Sequence, residues 1–324
     1  MRLSILIAAY NVELYIKKCI ESCYDEAVAS NYEIIVVNDG STDITQTLVE
    51  QLVSEIPNLH LINKTNEGLG AARNTGIAAA KGDYVWMIDG DDFIDTNKLP
   101  LLIKELHTND FDILCMNYNV TNKDGIVSSI AYPSDKNTEV YPATVYYQKF
   151  KANSYTWQYI FKKSIFIENN LLFMPSINMQ DSEIFPRIIY YSSTVKYIDI
   201  IGYNYVQHPN SFTNVTNFKK RFRYFESIVT VNKSLEQFKN NIRNDNADLA
   251  KAIQDKQQSL HQIIFNHLVF FKYSSKDLKV IVTYLNKNGF YPVQFKPSTK
   301  LQAVKIGLNH FPILTKKIID TLRK

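Results

Sequence analysis

The first 90 or so residues alternate short apolar runs with helical segments, and this alternation limits the fold more than any other feature of the chain. Leu3 to Ala8, Glu33 to Val37, Leu59 to Ile62 and Tyr84 to Ile88 are the apolar runs, and helical stretches at Leu14 to Cys23, Ile44 to Ile56 and Ala71 to Ala80 lie between them. Runs of this kind read as strands buried on both faces, as in a parallel sheet covered by helices. The predicted fold class is therefore α/β, with a doubly wound sheet. Ligands of such sheets bind at the carboxyl ends of the strands. Two unusual polar clusters fall there: Asn38-Asp-Gly-Ser-Thr-Asp43 after the second run and Asp89-Gly-Asp-Asp92 after the fourth.

Past Leu114 to Asn117 the pattern becomes Tyr-rich, with a hairpin-like turn at Asn122 to Gly125 and strand-like Val195 to Ile198 and Ile201 to Val206. This predicts a mixed, partly antiparallel extension of the sheet. From about Asn217 the chain turns helical, with segments at Phe218 to Phe238, Ala247 to Phe271 and Lys276 to Asn286, then a tail interrupted by Pro312. At 324 residues and 45% hydrophobic content, the chain has room for a large domain plus an appendage.

Charge divides along the same line. Residues 1–213 carry 16 Lys/Arg against 25 Asp/Glu, and residues 214–324 carry 20 against 7. The C-terminal part suits an anionic partner or, equally, a solvated basic face. Its strongest cluster, Lys219-Lys-Arg-Phe-Arg223, matches no nucleic-acid-binding motif, and no nucleic acid is expected. In the tail, Leu301, Val304 and Leu308, then Leu314, Ile318 and Leu322, recur at helical spacing among lysines 305, 316, 317 and 324. Such a stripe fits either the surface of an anionic membrane or packing inside the protein. No apolar run reaches the roughly 20 residues of a membrane span, and Met1 leads straight into a strand with no signal-peptide pattern. The three cysteines are too few for a disulfide framework; Cys19 and Cys23 read as core. The expected location is cytoplasmic, peripheral on the inner face of the cell membrane if the stripe binds lipid.

Three clusters carry chemistry. Asp89, Asp91 and Asp92 repel one another unless a cation sits among them, and hard oxygen donors at a strand end suit Mg²⁺ or Mn²⁺ that also binds phosphates. An acidic turn in which Asp92 or Asp95 caps a helix is the plainer reading. Asp43 reads as a helix N-cap, whereas Asp39, at the strand end, is placed to accept hydrogen bonds from a nucleobase or ribose. Gly68 and Gly70 imitate a dinucleotide-binding fingerprint, but Arg73 stands where a small residue is needed and the segment follows the third strand. This segment reads instead as a helix N-terminus with Arg73 turned toward an anionic or nucleotide ligand.

Ile7-Ala-Ala-Tyr-Asn-Val12, Ile34-Ile-Val-Val-Asn-Asp-Gly-Ser-Thr-Asp43, Gly70-Ala-Ala-Arg-Asn-Thr-Gly76 and Met87-Ile-Asp-Gly-Asp-Asp92, in this order, resemble family 2 of the inverting glycosyltransferases. The likeness runs from Leu3 to about Asp95 and resumes at Gln180 to Thr213; Ala8 replaces the family's usual Pro. The resemblance implies a GT-A type mixed sheet with a helical C-terminal extension. It implies a catalytic domain over 1–213, with a nucleotide-binding half to about 95 and an acceptor half from 96, followed by a basic helical region over 214–324. It further implies a nucleotide-sugar donor, most often a UDP-sugar, a saccharide or lipid-linked saccharide acceptor, and Mn²⁺ or Mg²⁺. Carried over by motif, Tyr10 and Asp39 bind the nucleobase, Arg73 supports the nucleotide, Asp89 holds the ribose side and Asp91 ligates the metal. Asp181, in Met179-Gln-Asp-Ser-Glu183, aligns with the general base; Gln180 replaces the usual Glu, and Glu183 is the competing carboxylate. His208 falls where relatives place a residue near the donor diphosphate, and its imidazole suits Mn²⁺ as well as phosphate. Tyr155, Trp157 and Tyr159 lie where an acceptor platform could be built, or are core. A nucleotidyltransferase is disfavoured, because Ala8 to Glu13 lacks the Gly-rich basic loop that class carries after its first strand. A non-catalytic scaffold on the same fold is disfavoured by the retained Asp91 and Asp181.

Overall fold

The computed structural model describes residues 2–108, 111–122, 124–131, 139–150, 154–207, 217–295 and 299–322. They form two compact units, one of residues 1–176 with 180–212 and one of residues 177–179 with 213–324.

In the first unit the elements are β1 (Leu3–Ala9), α1 (Ile16–Ser22), β2 (Tyr32–Asn38), α2 (Thr45–Glu55), β3 (Leu59–Asn63), α3 (Leu69–Ala79), β4 (Tyr84–Asp89), β5 (Phe93–Ile94) and α4 (Leu99–Thr108). There follow β6 (Ile113–Thr121), β7 (Val127–Ala131), β8 (Val140–Pro142), α5 (Ala143–Lys149), β9 (Tyr159–Lys162), α6 (Ser164–Glu168), α7 (Gln180–Tyr190) and β10 (Thr194–Val206). The strands make one mixed sheet in the order β3-β2-β1-β4-β9-β6-β10-β5, with β7 added on β6 and β8 on β10. Strands β3, β2, β1 and β4 run parallel, and β9 enters antiparallel between β4 and β6. β2 is buried along its whole length, as an apolar run under helices must be. β3 departs from the expectation of burial on both faces: it is the edge strand, and only Leu59 is buried. The two strand-like segments at 195–206 are one strand, β10, whose pairing with β6 shifts register between Tyr197 and Ile201 and again before Tyr203.

The parallel register sets the level of the site. Ala9 pairs with Asn38 and Ala8 with Asp89, so the two polar clusters emerge side by side at the carboxyl ends of β2 and β4. The hairpin at Asn122 to Gly125 forms between β6 and β7: the Asn122 N–H donates to the Ile126 carbonyl at 3.1 Å, and Gly125 takes φ 82°, a left-handed value that glycine adopts without strain. Cys19 and Cys23 are fully buried core residues.

The second unit is helical: α8 (Phe218–Ile242), α9 (Ala247–Phe270), α10 (Ser275–Lys287), α11 (Thr299–His310) and α12 (Pro312–Leu322). Asn217, Asn246 and Ser274 cap α8, α9 and α10 through side-chain oxygens, and Pro312 opens α12, where its missing N–H costs nothing. Among the described residues no helix is long and apolar enough to cross a membrane.

Candidate active site

Asp39 sits one residue beyond β2 and is nearly inaccessible. Its carboxylate accepts from the Gly68 N–H at 2.7 Å, the Glu67 N–H at 3.1 Å and Lys64 Nζ at 3.1 Å. The strand-end aspartate therefore pins the loop that leads into α3. Gly68 turns that loop at φ 93°. Gly70 follows in the first turn of α3, where a Cβ would lie 2.7 Å from both the Met174 carbonyl oxygen and Gln180 Oε1. Of the glycine pair that imitates a dinucleotide fingerprint, Gly68 thus serves the turn and Gly70 the close packing. Tyr10, at the end of β1, is about half exposed. Asp43 does not occupy the expected N-cap position of α2, which falls to Ile44; from one residue before it, Asp43 accepts from the Thr45 N–H at 3.0 Å and from the Glu13 N–H at 3.2 Å.

Arg73, on the second turn of α3, is 3% exposed. Its Nη2 donates to Asp89 Oδ1 at 2.8 Å, and its Nη1 donates to Asp181 Oδ1. The guanidinium is enclosed between two carboxylates that converge from β4 and α7. Burial alone would pull the guanidinium toward neutrality, but Asp181 and then Asp89 overcome it and hold the charge more firmly than usual. Asp181 stands at the start of α7 and also accepts from the Thr156 hydroxyl at 3.3 Å. Burial lifts its carboxyl above the usual carboxylate range; Arg73 opposes that lift and Asp89 adds to it. Glu183, the other carboxylate of that turn, is buried and bonded to Arg187 at 2.9 Å, one turn along α7.

The three aspartates after β4 separate into different surroundings. Asp89 faces Arg73. Asp92 is buried and accepts from the Tyr203 hydroxyl at 2.6 Å and the Val206 N–H at 2.7 Å, which fastens the acidic turn to β10. Its burial, with Asp91 and Asp89 nearby, raises its proton affinity. Capping falls to Asp95 alone, which accepts from the Asn97 N–H. Asp91 lines a cavity of about 240 Å³ together with Asp92, Tyr15, Lys18, Phe93 and Val206. Among the described residues no group of three His, Cys, Asp or Glu is arranged to hold a metal. The all-oxygen donors of this turn do fit a cation that takes one or two protein carboxylates and completes its shell with substrate phosphates. His208, the other expected ligand, lies outside the described residues.

Two residues that sequence reasoning passed over belong to the site. Thr156 holds Asp181, and Tyr203 holds Asp92. Each contact spans 25 residues or more, and neither has a local pattern that could have revealed it. Of the aromatic trio, Trp157 and Tyr159 are core, and Tyr155 is exposed.

Residues 4–170, just over half of the chain, match the family model described as glycosyl transferase family 2. The chain belongs to glycosyl transferase family 2. The uncharacterized glycosyltransferase EpsJ of Bacillus subtilis (strain 168) is 31% identical over 219 residues, which span 65% of this chain and 63% of EpsJ, less than two thirds of that relative's length. Among solved structures, S. aureus TarS 1-349 in complex with UDP-GlcNAc aligns with a TM-score of 0.67 at 17% identity, covering 99% of this chain and 91% of that one. The mannosyltransferase PcManGT from Pyrobaculum calidifontis, in complex with GDP-Man and Mn²⁺, aligns with a TM-score of 0.53 at 14% identity, covering 100% and 88%. These likenesses establish a GT-A fold for this family 2 chain.

Proposed function

We propose that the chain transfers a sugar, with inversion, from a nucleotide-diphospho-sugar to a hydroxyl of a saccharide or lipid-linked saccharide, in the assembly of a cell-surface polysaccharide or glycolipid. The observation that carries this reading is the Asp89–Arg73–Asp181 network, in which one buried cation ties the carboxylate at the end of β4 to a carboxylate at the start of α7. Asp181 is the general base in this reading. It takes the acceptor hydroxyl proton as that oxygen attacks the anomeric carbon, and the bond from that carbon to the diphosphate oxygen breaks with its electron pair leaving on the diphosphate. A carboxylate lifted by burial is a stronger base than one in water, and Arg73 limits that lift. Glu183 is less accessible to an acceptor hydroxyl: its side chain is 4% exposed against 22% for Asp181.

Asp39 retains acceptor capacity beyond its three present bonds, because a carboxylate offers about four lone-pair sites, and a uracil ring N–H is a fitting fourth donor. Tyr10 supplies an exposed ring beside it. Arg73 supports the nucleotide indirectly, by holding Asp89 in place on the ribose side. Asp91, with His208, is assigned to Mn²⁺ or Mg²⁺, which when bound neutralises the departing diphosphate. That TarS was solved with UDP-GlcNAc and PcManGT with GDP-Man and Mn²⁺ supports both the donor class and the metal. Screening UDP-, GDP- and dTDP-sugars for release of the nucleoside diphosphate tests the reading; no release from any of them, with either metal present, sinks it.

A second reading concerns the tail. In α12 the ordinary arrangement is inverted: Lys316 is 2% exposed, donates to the Val269 carbonyl at 3.0 Å and pairs with Asp320 at 2.9 Å, whereas Leu314 and Ile318 are 59% and 52% exposed, as is Phe311, just before the helix, at 65%. Lys316 therefore leaves the basic face that the sequence assigned it to. Leu308 on α11 packs inward, and the side chain of Leu322 lies outside the described residues. The outward apolar stripe of α12, in a region with 20 Lys/Arg against 7 Asp/Glu, suits an anionic membrane surface, since a second copy of so basic a region would be repelled.

A further inference from the structure

Tyr155, Trp157 and Tyr203 form a stack of nearly parallel rings. Tyr155 and Trp157 have centroids 5.0 Å apart at 5°, and Trp157 and Tyr203 4.5 Å apart at 10°. Tyr118 braces the stack edge-on, 4.6 Å from Trp157 and 6.3 Å from Tyr155. The inner two rings are core, but Tyr155 is 46% exposed. Its neighbours tie the stack to the chemistry: Thr156 bonds Asp181, and the Tyr203 hydroxyl bonds Asp92, next to Asp91. The Trp86 indole N–H donates to the Trp157 carbonyl at 2.8 Å, which fixes this turn beside β4.

We infer that the outer face of Tyr155 is the platform on which a pyranose ring of the acceptor stacks. The inference rests on the transferase reading above and adds a residue to it. A pyranose presents a face of C–H groups that an aromatic ring can cover, and a ring already held by stacking loses little freedom when it does so. The nucleobase is not the occupant, because Asp39 and Tyr10 stand at the ends of β2 and β1, whereas Trp157 immediately precedes β9 and Tyr203 lies on β10, both beyond β4 in the strand order. The diphosphate has no apolar face to offer. One residue from the turn that holds the base, Tyr155 is placed to orient an acceptor hydroxyl toward Asp181. The phenol hydroxyl has no part in this, so any aromatic side chain at the position does the same work.

The test is saturation-transfer NMR on the full chain with methyl β-D-glucopyranoside and methyl N-acetyl-β-D-glucosaminide as probes. Irradiation of the aromatic protons is expected to reach the ring C–H groups of at least one glycoside in wild type, in Tyr155→Phe and in Tyr155→Trp. In Tyr155→Ala and Tyr155→Leu the affinity drops by about tenfold, with melting temperatures that stay close to wild type. Undiminished transfer in Tyr155→Ala or Tyr155→Leu, or no transfer to either glycoside in wild type, overturns the platform. Release of nucleoside diphosphate by wild type, measured without glycoside, reports on the transferase reading separately, so the two failures are distinguishable.

Discussion

Asp181 sits in a field that pulls its proton affinity both ways, and each pull has a removable source. Burial lifts its pKa and Arg73 restrains the lift. Because the base works only when ionised, turnover is expected to fall on acidification at a pH above the ordinary aspartate range near 4. Arg73→Met should move that acid limb to higher pH, as read from a pH–kcat profile; a shift to lower pH contradicts the assignment. Asp181→Asn should cut turnover by roughly 10²-fold or more while leaving donor affinity within about twofold. Glu183→Gln should mainly lower the melting temperature, through the loss of a buried ion pair. At this scale the positions of Asp39, Asp89 and Asp91 at strand ends were legible in the sequence, whereas the structural bonds that Asp39 and Asp89 make were not. The orientation of Arg73 was not legible. A helix N-terminus faces a ligand as readily as a second chain segment, and Asp181 arrives from 108 residues away.

Among the elements, the long helices and the parallel strands could be read from periodicity, which is strongest where a segment is long and faces one core. β9 and β5 escaped it: with four and two residues they are too short to show a period, and their neighbours alone define them. The tail is helical, as its spacing predicts, but spacing does not say which side of a stripe is covered, so lipid and core are equally compatible with it. The inverted α12 yields a direct prediction. Full-length protein should co-sediment with vesicles containing anionic lipid and less with neutral ones, and Phe311→Ser/Leu314→Ser/Ile318→Ser should pellet no more than a no-vesicle control. Equal pelleting of wild type and variant argues against the membrane. On α9, His267 lies among Tyr224, Phe225 and Phe271, and burial, helped by nearby Arg221, lowers its pKa to about 4. The folded form resists protonation that the unfolded chain accepts near pH 6.5. Its stability contribution is therefore full above that pH and is lost as the pH falls toward 4, on the order of 2 kcal/mol given its partial exposure. His267→Phe should flatten this part of the melting-temperature profile of the second unit; an unchanged slope between pH 6.5 and 4 removes the linkage.

For the molecule as a whole, the proposed metal role of Asp91 can be tested directly. Nucleoside diphosphate release is expected to stop in excess chelator, to return with Mn²⁺ or Mg²⁺, and to be lost in Asp91→Ala; full turnover with chelator present would falsify the metal role. The same part of the structure has an optical consequence. The chain contains only two tryptophans, Trp86 in β4 and Trp157 in the ring stack, joined by the hydrogen bond between them. All indole fluorescence of the protein thus originates in the wall beside the proposed reaction centre. A sugar settling on Tyr155 would lie one ring away from Trp157, so a change in the unlabelled protein's emission is the expected sign of acceptor arrival, and Trp157→Phe is expected to remove it.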